Sequence, residues 1–235
     1  MKEQGSEAAS PRVLFFVILS GGLQDAYTYF GRGGVFANAQ TGNVIFCSVA
    51  LFHGEYAAFF RYLLPIAAFF AGVLTAEWLR RRWKAERRLF WQQHVLLLQC
   101  AVLACVAALP RTLDGAANAL VSFACATQVQ GFRHYREQPF ASTMCIGNLV
   151  QAAAAFSAAV AERDSTAARR GAMYLYVVAL FGLGAGMGYL AQRYYGRWAI
   201  LFSVLLLLAA FLVLLLRQRE RNTGKEAPGA PGGYE

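Results

Sequence analysis

The sequence predicts an all-α polytopic membrane protein, a bundle of six spanning helices with two further polar-interrupted segments. Three observations carry this. Of 235 residues, 57% are hydrophobic and 15% charged, where a soluble domain carries roughly a quarter charged residues. Apolar runs recur that approach the ~20 helical residues needed to cross a ~30 Å hydrocarbon core. The second half of the chain also repeats, weakly, the pattern of the first.

Six runs are uninterrupted: Val13 to Phe30, Tyr62 to Leu79, Gln92 to Leu109, Ala116 to Gln130, Ala172 to Leu190 and Trp198 to Leu216. Trp78, Trp83, Trp91 and Trp198 lie at or just beyond their ends, where an indole sits at headgroup depth. Two more segments, Val35 to Phe52 and Phe140 to Val160, are of similar length but broken by polar residues and glycine. The domain reading is therefore a short N-terminal tail (1–12), one membrane domain (13–216) and a charged, Gly- and Pro-rich tail (217–235) expected to be disordered. Lys2 and Arg12 ahead of an apolar run imitate a signal peptide, but Glu3 and Glu7 offset that charge and the run continues, so the segment is expected to be retained.

"NAQTGNV" at Asn38–Val44 aligns with "TMCIGNL" at Thr143–Leu149 at an offset of 105, and "LQ" at Leu23–Gln24 with "VQ" at Val129–Gln130 at 106. This divides the domain into halves of about 13–109 and 116–216. Lysine and arginine concentrate in cytoplasmic loops, so their distribution tests the topology. Eight crossings split the 22 basic residues eleven and eleven. If both interrupted segments enter and leave on one side, six crossings remain and the split is seventeen to five; sparing only the second segment from crossing gives sixteen and six. Six crossings place both termini in the cytoplasm and, with three per half, make the halves an inverted repeat.

Non-helical backbone at membrane depth is tolerated where protein buries it or water reaches it. Gly42 and Gly147 are the expected helix breaks, and Asn38, Gln40, Thr41, Asn43, Thr143, Asn148 and Gln151 the side chains that satisfy freed backbone or meet a solute. The competing reading is helix packing through small and polar residues, worth about 0.6 to 2 kcal/mol per contact. Gly182, Gly184, Gly186 and Gly188 read as close-approach sites. Asp25, with Gln24 beside it and Tyr29 about a turn on, is the carboxylate well inside a span. It faces the interior, paired or protonated, or else lies hydrated near the interface with Arg32 as a loose partner. With Gln130 at the matching helix end, the candidate solute or ion path is Gln24, Asp25, Asn38, Gln40, Thr41, Asn43, Gln130, Thr143 and Asn148.

Glu77, at a segment end, is set aside. Arg133, His134 and Arg136 read as a solvated rim, and His53 and His94 have no partner at metal-ligand spacing. The five cysteines read as small packing residues, with no CxxC and no Cys/His ligand spacing. No catalytic or cofactor motif is recognisable, so neither an enzyme nor a bound metal or cofactor is expected. The net charge of +9 resides in short loops and the tail, which argues for topology and contact with anionic lipid headgroups rather than for nucleic acid. The remaining expected partners are the bilayer, an unidentified small solute or ion and, as an open option, a second copy in a homo-oligomer. A transporter or channel is the first functional reading; a non-transporting subunit or scaffold that binds a partner protein is the alternative.

Gly22, Asp25, Ala26, Gly33, Gly34, Phe36, Thr41, Gly42 and Asn43 fit the pattern Gly-x-x-Asp-Ala, Gly-Gly-x-Phe, Thr-Gly-Asn, and Gln130, Arg133, Thr143 and Gly147 follow its second-half counterpart more loosely. On these residues the chain resembles the YoaK-like family of bacterial inner-membrane proteins, whose members have no assigned function. Ile146 stands where that family tends to place threonine. The resemblance implies a six-helix bacterial membrane protein and supplies no substrate.

Overall fold

The computed structural model describes residues 10–83, 91–132, 134–135, 138–139, 143 and 145–223. The described chain is helical: α1 (Pro11–Gly31), α2 (Gln40–Phe52), α3 (Tyr56–Trp83), α4 (Trp91–Ala108), α5 (Asp114–Gly131), α6 (Cys145–Glu162), α7 (Ser165–Tyr195) and α8 (Ile200–Thr223). A two-residue antiparallel pairing, His134–Tyr135 with Gln138–Pro139, is its sole extended element among the described residues. Residue 133, residue 136 and the side chain of His134, expected as a rim, lie outside the described part, as do 1–9 and 224–235. α8 continues through Thr223, so the first residues of the expected tail are helical.

Five stretches are long and apolar enough to cross a bilayer: Pro11–Gly31, Tyr56–Arg82, Trp91–Ala108, Cys145–Glu162 and the joined Ser165–Arg219, which holds both α7 and α8. The protein is a polytopic membrane protein. α2, a shorter apolar helix of 13 residues, would extend only about 20 Å at 1.5 Å per residue. α5 falls outside this set although it has the length of α4, since it carries Asn118, Ser122, Thr127 and Gln128. These side chains are all buried, so α5 faces protein rather than lipid.

Local chemistry explains the element ends. Pro11 opens α1, where its missing N–H and fixed φ cost nothing. Beyond α1, Gly33 and Gly34 take φ of 87° and 76°, which turns the chain back toward the helix it has just left; Phe36 then stacks on Tyr29 at 4.4 Å. The expected breaks are thus displaced. Gly42 and Gly147 each lie in the first turn of a helix, α2 and α6, and ahead of Gly42 the irregular backbone spans the residues between α1 and α2. Gly196, at φ 55°, ends α7 and allows the reversal into α8.

Asp164 caps α7: its carboxylate accepts from the Thr166 amide at 2.7 Å and lies 3.7 Å from Arg170. The Thr166 hydroxyl and amide, which both donate to it, hold the Asp164 carboxyl below its usual range. A carboxyl depressed in the folded state stabilises the fold above its unfolded pKa, and that contribution disappears as pH falls through the lowered value. The expected result is a steeper acid loss of melting temperature below about pH 4 in the wild type than in Asp164→Ala; parallel acid limbs would contradict the capping role.

α1 is the centre of the bundle, with 78% of its apolar window buried against 11% for α3 and for α6. It packs on α7 and α8, α5 packs on α3 and α4, α2 lies on α3, α6 on α7, and α4 meets α8. Contacts fix the directions. Gly184 lies on the backbone of Leu19 and Gly188 on that of Leu23, so α7 runs parallel to α1. Gln128 reaches the Val17 carbonyl at one end of α5 and Asn118 the Arg32 carbonyl at the other, so α5 runs antiparallel to α1. Gly72 on Phe123, with Glu77 joined to Gln130, makes α3 parallel to α5.

Candidate functional site

The polar residues of α1 fall into three levels. Next to the chain reversal, Arg32 is buried and uses all five guanidinium N–H groups. Nε donates to the Tyr27 hydroxyl (2.9 Å), one terminal nitrogen to Asp114 (2.8 Å) and the Pro110 carbonyl (3.2 Å), and the other to the carbonyls of Val106 (3.3 Å) and Leu109 (3.0 Å). Carbonyls left free at the C-terminus of α4 therefore find donors on Arg32, the residue that follows α1. Arg32 is thus the partner of Asp114, and not the loose partner of Asp25.

Further along α1, Gln24 ties three helices together. Its amide nitrogen donates to Ser20 (2.8 Å) and Ser203 (2.9 Å), its oxygen accepts from the Cys125 thiol (2.8 Å), and the two serines meet at 2.5 Å. Every strong hydrogen-bonding capacity of Gln24 is occupied, save one oxygen lone pair. That is an interhelical staple, and it leaves little to offer a solute.

The third level surrounds Gly21 and Asp25. Having turned back at Gly33 and Gly34, the chain brings the amides of Ala37 and Asn38 onto Asp25 Oδ1, at 2.8 and 2.7 Å. Asn38 Nδ2 donates to the Gly21 carbonyl at 3.3 Å. Asn43 closes this loop from the first turn of α2, donating to the Phe36 carbonyl (2.7 Å) and Gln40 Oε1 (2.9 Å) and accepting from the Phe36 amide (3.1 Å). Gln40 in turn donates to the Ala37 carbonyl at 2.8 Å. Asn43 and Gln40 therefore shape the entry to α2, as a local cap does for any helix whose first amides lack partners.

From the other half of the chain, Thr143 arrives at the same glycine. A Cβ on Gly21 would lie 2.5 Å from Thr143 Cγ2 and 3.2 Å from Gln128 Nε2. Gln128 anchors to the Val17 carbonyl at 2.9 Å, one helical turn from Gly21. Thr143 precedes Cys145, the first residue of α6, by two residues. The approaches to α2 and to α6 thus meet at the middle of α1.

Of the nine expected path residues, Asp25, Asn38 and Thr143 come together here, with Gln24 one turn away in its own network. Thr41 is exposed on α2. Asn148 is buried in α6, a turn beyond its start. Gln130 points to α3, donating to Glu77 at 2.7 Å in a cluster that Arg80 and Arg81 complete. Glu77, set aside on sequence, is thus the centre of an ion-pair network. Gln128 was missed; it sits two residues before the glutamine that the repeat register selected.

Among the described residues no group of three or more His, Cys, Asp or Glu could hold a metal ion. A family model described as "Protein of unknown function (DUF1275)" matches residues 13–213. No curated protein and no solved structure matches the chain.

Proposed function

We propose that this chain, which belongs to the DUF1275 family of proteins of unknown function, is a small-solute or ion transporter or channel whose path is built around Gly21 and Asp25. The observation that carries the reading is the meeting of two helix approaches, residues 36–38 and Thr143, at one glycine in the middle of the most buried helix.

Helix directions support a six-crossing arrangement. With α3 antiparallel to α1, the stretch from Arg32 to Glu55 leaves one face and returns to it. With α5 antiparallel and α7 parallel to α1, the stretch from Phe132 to Asp164 does the same on the opposite face. On this reading α6 dips to the bundle centre without crossing, although its length and hydropathy would permit crossing. Packing order supports an inverted repeat: α1 on α7 and α8 corresponds to α5 on α3 and α4, and α2 on α3 to α6 on α7. Inverted repeats of this kind commonly place a binding site where broken segments meet near the bilayer midplane. Seventeen of the basic residues then lie on the face of the termini, which makes that face cytoplasmic and suits the bacterial inner membrane implied by the YoaK-like resemblance.

The alternative, a scaffold that binds a partner protein, draws on a different observation: Gln24, Gln40 and Asn43 are committed to structure. Light scattering from proteoliposomes shocked with monovalent salts or glycerol separates the two. The transport reading predicts faster relaxation for at least one solute than in empty liposomes. It also predicts at least a tenfold loss of that flux in Asp25→Asn, which removes the charge while keeping an acceptor for the two amides, with melting temperature nearly unchanged. No flux for any solute, or undiminished flux in Asp25→Asn, would favour the scaffold.

A further inference from the structure

We infer that Asp25 is a proton-operated latch: its ionised carboxylate holds the approach to α2 on α1, and uptake of one proton from water loosens that hold. The inference rests on the transport reading for its meaning, as the step that opens the path, and on the bonding around Asp25 for its chemistry. Asp25 is buried in α1, where an ionised group is costly unless something compensates it. Among the described residues no cation does so. Arg32 spends all five N–H groups elsewhere. Residues 33–52 carry no charge, and the helices around α1 carry theirs only towards their ends: Asp114 on α5, Glu162 on α6, Arg169, Arg170 and Arg193 on α7, and Arg197 before α8 with Arg217 and its successors at the far end. The titratable groups facing the carboxylate are the thiols of Cys125 on α5 and Cys145 at the start of α6, with Tyr29 a turn along α1. None of these can bear a positive charge.

Backbone amides supply the compensation instead. Those of Ala37 and Asn38 both donate to Oδ1, so a proton can settle on Oδ2. Hydrogen bonds to an ionised acceptor are roughly twice as strong as those to a neutral one, and protonation therefore weakens both bonds at once. The segment they hold is built to move as one body. Asn43 exchanges hydrogen bonds with both backbone groups of Phe36, and Gln40 donates to the Ala37 carbonyl, so residues 36–38 are fastened to the first turn of α2. Behind them stand Gly33 and Gly34, at positive φ and with open space where a Cβ would lie, a pair whose backbone can turn with little steric resistance. α2 packs on α3 and buries only Asn43, Cys47 and Ala50. Its ties to α1 are the stack of Phe36 on Tyr29, the Asn38 side chain on the Gly21 carbonyl and the two amides on Asp25. Of these, the amide bonds alone depend on a charge that a proton can remove.

Amide hydrogen exchange of the full chain in mild detergent, read by mass spectrometry, follows these two amides directly. The latch is closed at high pH and opens as pH falls through the titration of the carboxyl. From about pH 8 to about pH 4.5, a range in which desolvated carboxyls titrate, protection of residues 36–39 should fall by about tenfold or more once the intrinsic pH dependence of exchange is removed. Peptides from α1 and α5 should keep theirs. Asp25→Asn, an uncharged acceptor in the same place, should show the low protection throughout. Three results would overturn the inference: protection in the wild type that does not change with pH, the same pH dependence in Asp25→Asn, or protection in Asp25→Asn as high as that of the wild type at the alkaline end. The wild-type titration stands without any variant. A pH-dependent loss of protection in a protein that carries no flux would sink the transport reading alone, and flux with pH-independent protection would sink this inference alone.

Discussion

Arg32→Ala is expected to destabilise the fold by about 3 kcal/mol or more, and Arg32→Lys to recover only a fraction of that. The arginine makes five hydrogen bonds, one of them within an ion pair to Asp114. Removing one partner of a buried pair typically costs about 3–5 kcal/mol. Asp114 is 30% exposed, which lowers its share, but the carbonyls of Val106, Leu109 and Pro110 lose their donors as well. Lysine brings three donors at one point and cannot reproduce a planar fork spanning α1, α4 and the start of α5. Unfolding by SDS titration against wild type measures the effect. A change within ~0.5 kcal/mol, the range of an ordinary surface substitution, would contradict the role assigned to Arg32.

The second large effect divides four glycines in one stretch of α7. Gly184→Val and Gly188→Val should each cost about 3 kcal/mol or abolish folding, whereas Gly182→Val and Gly186→Val should remain within about 0.5 kcal/mol of wild type. A Cβ on Gly184 or Gly188 would strike the backbone of Leu19 or Leu23, and backbone cannot rotate away as a side chain can. Gly182 and Gly186 have open space at the same point and are exposed. Detergent melting of the four variants separates the pairs. Equal behaviour would mean that α7 does not approach α1 through these two positions.

The same stretch illustrates what the sequence could convey. Four small residues at alternate positions signalled close approach, but rotation of about 100° per residue puts neighbouring glycines on different faces, and only packing reveals which face meets a helix. The apolar runs were legible because bilayer thickness imposes their length. The two interrupted segments were legible because polar side chains are expensive at membrane depth. The positions of their irregular backbone were less so: Gly42 and Gly147 stood out in the motif, while the actual reversal uses Gly33 and Gly34, and the amides it frees are held by Asp25 from another element.

Gln128 escaped notice for a related reason. The register that pairs Gln24 with Gln130 selects a side chain about 200° around the helix from Gln128, and Gln130 turns to Glu77 on α3 instead. Arg32 follows the end of α1 seven residues after Asp25, a spacing that suggests a pair. Asp25 already accepts two backbone amides, and the buried partner of Arg32 comes from Asp114, which carries no local signal linking it to α1.

Labelling with a membrane-impermeant maleimide tests the account most directly, using single cysteines introduced as Glu55→Cys and Glu162→Cys in oriented vesicles of both polarities. Both positions are exposed, Glu55 in the connection between α2 and α3 and Glu162 as the last residue of α6. If α2 and α6 return to the face from which their segments enter, Glu55→Cys reacts from the outer face only and Glu162→Cys from the cytoplasmic face only. Reaction of both from the same face would mean that both segments cross the membrane, and the convergence at Gly21 could not then be the meeting of two half-crossings.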